Sequence, residues 1–178
     1  MSLYGSSVEY GLHCLLYLVD PPADGPPSAR DLAEFQGVSP SYVAKLFTQL
    51  QKAGIVAAAE GVRGGFRLAR PAADITVHDV VQALEGDKPL FRCREIRRNC
   101  VLYNDDPPDW ATRGVCGIHA VMIEAERRMA EVLKGRTLAD LAGEVGEKVP
   151  AKYDRMKRDW FASRRSGRRA GPQEESRG

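Results

Sequence analysis

Two short helical patterns, separated only by a turn at Gly37, constrain the fold of this sequence more than any other feature. The first pattern begins at Ser28, a typical N-cap residue, and the second begins at Ser39-Pro40, which supply an N-cap and a first helical residue. Two helices joined by so short a turn are typical of a helix-turn-helix. The apolar residues of the second pattern recur at helical spacing: Val43, Leu46, Phe47 and Leu50.

A predicted β-hairpin follows the helix pair. Strand-like runs cover residues 55–59 and 66–69, and Gly61, Gly64 and Gly65 lie between them. A hairpin at this place in the chain predicts the wing of a winged helix-turn-helix.

Further helices flank this unit on both sides. Ser6-x-x-Glu9 has the spacing of a capping box and opens a predicted helix over residues 7–20, while Thr76-x-x-Asp79 opens another after the hairpin. The predicted fold class is therefore mainly α with a small β-hairpin wing.

A long helix is predicted from Cys116 to Gly135, after an irregular stretch over residues 87–115, and Thr137 caps a short final helix. Because the amino-terminal half can close its own core, we expect a helix of a second subunit to cover the apolar stripe of the long helix. Packing on its own domain alone is the alternative. The stripe consists of Ile118, Met122, Ala125, Met129 and Leu133.

The distribution of charge shows where a basic surface can lie. The 178 residues include 26 Lys and Arg against 24 Asp and Glu, so any basic surface is local. Residues 28–71 contain six basic and three acidic residues, and residues 150–178 contain nine and four. From residue 163 onward the composition offers almost nothing to bury, which predicts a disordered basic tail.

Two classes of protein are disfavoured by missing patterns. The sequence has no stretch of 18 apolar residues and no signal-peptide pattern, so we expect a cytoplasmic protein without membrane contact. It also lacks the P-loop, the nucleophile elbow and the zinc-protease motif, which favours a binding protein over an enzyme.

The second helix of the pair and the wing carry side chains suited to duplex DNA. Polar and basic groups on the exposed face of such a helix reach base edges and phosphates in the major groove, and a glycine-rich turn lets an arginine approach the minor groove. A winged helix that binds protein is the alternative. The candidate DNA-contacting residues are Ser39, Ser41, Tyr42, Lys45, Gln49, Arg63 and Arg67.

Three of the four cysteines lie in one stretch of the chain that ends at a histidine. Cys93, Cys100, Cys116 and His119 have the spacing C-x6-C-x15-C-x2-H, and three thiols near one imidazole can form a soft metal site. Buried thiols without a metal are the alternative. Cys14 lies instead within an apolar helix and is predicted to be a core residue.

A second pair of candidate ligands lies on the first helix. Glu9 and His13 are four residues apart, so both project from one helix face and can reach one metal ion. A capping glutamate and an ordinary surface histidine are the alternative.

The sequence resembles the IscR/NsrR/RirA/RsrR-type winged-helix transcriptional regulators over about residues 1–145. The segments that carry the resemblance are VSPSYVAKL (38–46), LQKAGIV (50–56), GVRGGFRLARP (61–71) and ITVHDV (75–80). Three further segments resemble the redox-sensing RsrR branch most closely: VEYGLHC (8–14), FRCREIR (91–97) and CGIHA (116–120).

This resemblance implies a homodimeric DNA-binding regulator that recognises an inverted-repeat operator and whose DNA affinity is set by an iron–sulfur cluster. It favours a redox-switched [2Fe-2S] cluster over a [4Fe-4S] cluster. The implied ligands are Glu9 and His13 of one subunit and Cys93 and Cys116 of the other, with no ligand role for Cys100. The alternative set is the three cysteines with Glu9 or His119 as the fourth ligand.

The implied division of the chain is a winged helix-turn-helix over residues 1–86, a cluster-binding loop over 87–115, a dimerisation helix over 116–134, a C-terminal helical segment over 135–162 and the tail over 163–178. Two functional alternatives stay open. One is a nitric oxide or iron-availability sensor with a three-cysteine cluster, and the other is a zinc-stabilised DNA-binding protein without a sensing role.

Overall fold

The computed structural model describes residues 3–21, 25–59 and 64–167. Within them the fold is mainly helical with a two-stranded antiparallel sheet, which confirms the predicted fold class. Short 3-10 turns at Ala72–Asp74, Ile96–Asn99 and Val101–Tyr103 interrupt the connecting segments. The elements are α1 (Ser6–Leu16), α2 (Ala29–Gln36), α3 (Pro40–Lys52), β1 (Val56–Ala58), β2 (Phe66–Leu68), α4 (Val77–Glu85), α5 (Asp109–Thr112), α6 (Gly117–Lys134), α7 (Leu138–Lys148) and α8 (Ala151–Gly167).

The helix-turn-helix forms where the sequence predicts it. At the start of α2 the Ser28 hydroxyl accepts a hydrogen bond from the Asp31 amide at 3.2 Å, and the Asp31 carboxylate accepts one from the Ser28 amide at 3.1 Å. Gly37 ends α2 in a left-handed conformation with a φ of 67°. Side chains from α1 to α4 share one buried core: Leu15, Leu32, Val43, Phe47, Leu50 and Val80.

The predicted hairpin is present and is anchored at its base. Phe66 packs on Phe47 of α3, with ring centroids 4.9 Å apart. Gly65 has a φ of +135°, and a Cβ atom there would lie 2.5 Å from the carbonyl oxygen of Pro26. Only glycine fits both this backbone conformation and this close approach, so the wing is held against the segment that precedes α2.

The start of α1 differs from the prediction. Gly5 is the N-cap, so Ser6-x-x-Glu9 does not form a capping box and that prediction is wrong. The carboxylate of Glu85, at the end of α4, caps the helix instead. It accepts hydrogen bonds from the Gly5 amide at 3.2 Å and from the Ser7 hydroxyl. The helix also ends earlier than predicted.

Helices α4 and α7 begin side by side. Thr76 and Thr137 are their N-caps, each in a capping box, and these two threonines pair in an antiparallel β-bridge. Two backbone hydrogen bonds of 2.8 and 2.9 Å flank the bridge. Leu138, the first residue of α7, is fully buried. The carboxyl end of α6 is therefore tied to the core.

The long helix α6 spans 18 residues from Gly117, as predicted, and none of them is buried. Ile118, Val121 and Val132 are 64 %, 66 % and 69 % exposed, respectively. The sulfur of Met129 accepts a hydrogen bond from the Tyr4 hydroxyl at 3.6 Å, and this contact joins α6 to the amino-terminal segment. Its own chain therefore leaves much of the apolar surface of α6 uncovered.

The sequence predicts a C-terminal helical segment over residues 135–162 but does not separate the last helix, α8, from α7 within it. Helix α8 continues through Gly167, so the prediction of a disordered tail is wrong for residues 163–167, and residues 168–178 lie outside the described part of the chain. Phe161 is 3 % exposed and stacks on Phe35 of α2 with ring centroids 5.0 Å apart. Ion pairs from Arg158 to Asp20 and from Arg164 to Glu34 flank this contact. Helix α8 thus packs on the helix-turn-helix unit.

Candidate functional site

The amino-terminal end of α3 presents a polar surface to solvent. Ser39, Ser41 and Lys45 are exposed, and the two serine hydroxyls lie 2.9 Å apart. Tyr42 and Gln49 are half-buried rather than fully on the exposed face. Of the predicted helix contacts, the two serines and the lysine are thus the most accessible to a DNA groove.

The wing extends this surface with basic groups. Arg67 is exposed on β2, and Lys52 is exposed at the end of α3. Arg67, Lys52 and Lys45 form no ion pair with another described residue, so the charges of these three side chains are available to phosphates. Arg70 differs, since it pairs with Asp79 at 3.0 Å. The predicted contact Arg63 lies outside the described residues.

One aromatic contact joins α1 to the recognition helix α3. The ring of Tyr10 meets the ring of Tyr42 edge-on, with centroids 5.9 Å apart and planes at 90°. Tyr10 is the neighbour of Glu9 in the sequence, and Glu9 and His13 are both exposed. Neither the Glu9 nor the His13 side chain forms a hydrogen bond or an ion pair with another described residue. Both are therefore available on α1 as ligands for a metal.

Two of the three candidate cysteines line one groove. Cys93 and Cys116 lie in its wall together with the apolar residues Phe91, Ile96 and Ile118. Cys116 is the N-cap of α6. Its pKa is lowered, first by the backbone amides of His119 and Ile118 in the first turn of α6 and then by the Arg97 guanidinium, which favours the thiolate.

The other candidate ligands are placed differently. Cys100 lines a separate pocket with Arg98 and Asp105. His119 lies against Phe91, with ring centroids 6.0 Å apart. No three Cys, His, Asp or Glu side chains converge as a metal site within the described part of one chain.

Cys14 has the core position that the sequence predicts. It is fully buried, and burial raises the pKa of its thiol to about 12. This cysteine is therefore a protonated packing residue at neutral pH.

A family model described as "Rrf2: Iron-dependent Transcriptional regulator" matches residues 4–144. The chain belongs to the Rrf2 family. Protein rrf2 of Nitratidesulfovibrio vulgaris is 36% identical over 133 residues, which make up 75% of this chain and 82% of that protein. The Rrf2 match ends before α8, so this helix lies outside the family region.

Two solved structures share the Rrf2 fold of this chain. IscR of T. potens superposes with a TM-score of 0.62 at 27% identity, covering 84% of this chain and 93% of that one. CymR, described as the global cysteine regulator of B. subtilis, has a TM-score of 0.61 at 25% identity, covering 81% and 98%.

Membership of the Rrf2 family settles the class of activity. The chain is a DNA-binding transcriptional regulator, and neither the family nor the relatives are enzymes, which confirms that prediction. None of the described helices combines the length and the apolar character that a membrane crossing requires.

Proposed function

We propose that this regulator is a homodimer whose operator affinity is controlled by an iron–sulfur cluster, and that the cluster is a redox-active [2Fe-2S] centre. The observation that carries the proposal is the grouping of the thiols. Cys93 and Cys116 share one groove, whereas Cys100 lines another. Two cysteines in one groove are half of a four-ligand site, so the remaining ligands must come from elsewhere.

A second copy of the chain is the source of those ligands in this proposal. Apolar residues along α6 are exposed, and burying them against α6 of a second copy removes that surface from water. Glu9 and His13 of one copy then complete the half-site formed by Cys93 and Cys116 of the other. The donors fit this role because both α1 side chains are open and the two thiols lie in an apolar groove.

The bound cluster would supply a one-electron change of charge at this site, with a potential raised by the histidine ligand relative to all-thiolate ligation. The chain supplies the path to DNA. Glu9 and His13 lie on α1 on either side of Tyr10, and Tyr10 packs on Tyr42 of α3. A shift of α1 therefore displaces a side chain on the recognition helix and changes the population of the DNA-competent dimer.

Two recognition helices related by a twofold axis read two half-sites of opposite orientation. The operator is therefore proposed to be an inverted repeat, with Ser39, Ser41 and Lys45 facing the major groove and Arg67 beside the phosphates. Half-buried Tyr42 and Gln49 are proposed to contact DNA through their exposed edges, and Arg63 through the wing.

The decisive experiment measures iron, acid-labile sulfide and visible absorption of protein purified without oxygen. Wild type is compared with Glu9→Ala, His13→Ala, Cys116→Ala and the matched control Cys100→Ala. We expect about two irons per chain in the wild type and the control, since a [2Fe-2S] cluster needs four ligands and Cys100 is not among them. The other three variants lose the colour.

Two results would contradict the proposal. Loss of the cluster in Cys100→Ala, with survival in Glu9→Ala and His13→Ala, returns the ligands to three cysteines. A colourless protein that contains zinc removes the sensing role altogether. A titration with a fluorescent operator then compares oxidised and reduced protein, and equal affinities would refute the redox switch.

A further inference from the structure

The two segments that carry the thiols of the groove are joined by the side chain of Arg97. Its Nη2 atom donates hydrogen bonds to the carbonyl oxygens of Thr112 at 3.1 Å and Gly114 at 2.6 Å, just before Cys116. Its Nε atom donates to the carboxylate of Glu95 at 2.7 Å, just after Cys93. One guanidinium group thus spans both segments with three charge-assisted hydrogen bonds.

Glu95 completes the link on the Cys93 side. The Glu95 amide donates a hydrogen bond to the sulfur of Cys93 at 3.4 Å. The Cys93 thiol in turn donates to the Glu95 carboxylate at 3.6 Å. Glu95 also has a φ of 51°, a left-handed conformation that is unfavourable for a residue with a Cβ atom. In this conformation Glu95 contacts both Cys93 and Arg97.

The charge of Arg97 is held close to both sulfurs. The guanidinium side chain is 24 % exposed, which is less than for an arginine on an open surface. The pKa of Arg97 is raised, first by the hydrogen bond to Glu95 and then by the charges of Glu95, Cys116 and Cys93. A fixed positive charge favours whichever state of a neighbouring group carries more negative charge.

We propose that Arg97 is the positioning residue of the thiol half-site, because it holds Cys93 and Cys116 in one groove and keeps a positive charge beside them. The charge raises the reduction potential of a cluster bound there, since the reduced form carries one more electron. The effect of Arg97 on the reduction potential rests on the function proposed above, because it requires a bound cluster. The arrangement of the two thiols can be tested without a cluster.

The first test measures that arrangement in protein free of iron. Dibromobimane becomes fluorescent when it bridges two thiols, and a Cys100→Ser background removes the remaining accessible thiol while Cys14 stays buried. We expect bridging to slow about tenfold in Arg97→Gln, which corresponds to about 1.4 kcal/mol. The matched control is Arg94→Gln, which removes a charge from the same groove wall without removing a hydrogen bond among the described residues. An unchanged rate in Arg97→Gln would overturn the positioning role.

The second test is a one-electron titration of the loaded proteins with dithionite. Arg97→Gln should shift the equilibrium between reduced and oxidised cluster about tenfold toward the oxidised form, about 59 mV for one electron. Arg97→Lys keeps the charge but loses the planar fork, so its potential should stay near wild type while its bridging slows. A potential unchanged in Arg97→Gln would overturn the role of the charge. If wild type binds no iron, the proposed function fails, and the bridging rates still decide whether Arg97 positions the thiols.

Discussion

Replacing Phe161 with alanine should detach α8 from the helix-turn-helix unit. The phenyl ring is 3 % exposed and stacks on Phe35 with the ring planes at 28°. It also contacts Tyr17, with ring centroids 5.8 Å apart, and its neighbour Trp160 packs edge-on against Phe35 at 5.0 Å. No other residue of α8 is as deeply buried among those whose side chains are described.

The size of the effect follows from these contacts. Truncating a buried phenylalanine to alanine costs about 3–5 kcal/mol. What remains besides the Trp160 ring includes the ion pairs of Arg158 and Arg164, whose side chains are 53 % and 43 % exposed. Exposed pairs contribute about 0–1 kcal/mol each, so they replace little of what the Phe161 ring contributes to the docking. A detached helix of 17 residues is marginal in water and should lose helicity.

Urea unfolding and amide hydrogen exchange measure the two consequences together. We expect Phe161→Ala to lower the free energy of unfolding by about 3 kcal/mol or to lose exchange protection throughout α8. Met156→Ala on the same helix is the matched control, because Met156 is 58 % exposed. Its free energy of unfolding should change by less than about 0.5 kcal/mol. Equal stability and equal protection in the two variants would refute the docking described here.

Three further outcomes are expected. The pKa of Glu85 is lowered by hydrogen bonds from Lys88 and Ser7, so its contribution to stability is full above its ordinary value of 4.5 and is lost as the pH falls through the lower folded value. Glu85→Gln should flatten the acid limb of a circular dichroism titration, and an unchanged limb would be inconsistent with the cap on α1. Gly65→Ala should disturb the wing and weaken operator binding in a gel shift, whereas intact affinity would show that the close approach at its base is dispensable. Lys45→Ala should weaken binding to every sequence and lower the salt slope by about 1, and an unaltered slope would exclude a phosphate contact.

Local signals in the sequence were sufficient for most of the helix boundaries. Ser28, Thr76 and Thr137 each cap a helix, because the partner that completes the cap lies three residues further on. Ser6 has the same spacing to Glu9 and nevertheless fails. The Glu85 carboxylate from α4 accepts hydrogen bonds from the Gly5 amide and the Ser7 hydroxyl at that helix start, and a pattern four residues long contains no information about such a distant competitor.

The grouping of the thiols and the docking of α8 depend on tertiary contacts in the same way. Cys93 and Cys116 meet through Arg97, which the sequence does not distinguish from the other arginines around Cys93. The composition from residue 163 onward indicated a tail, yet α8 continues to Gly167, and two aromatic residues, Trp160 and Phe161, anchor it on the helix-turn-helix unit. Hydrophobic residues so few in number leave no periodic pattern to detect.

The bridge between Thr76 and Thr137 holds the carboxyl end of α6 in place, so a displacement of its amino-terminal end rotates the helix about that bridge. With 18 residues at 1.5 Å each, α6 itself is about 27 Å long. A displacement of about 1 Å at the thiol end therefore turns the base of the helix by only about 2°. So small a rotation moves the side chains at the base of α6 much less than the thiol end, so α6 transmits little of such a motion to the DNA-binding surface. The more direct route runs through α1, where a displacement reaches the recognition helix through the contact of Tyr10 with Tyr42.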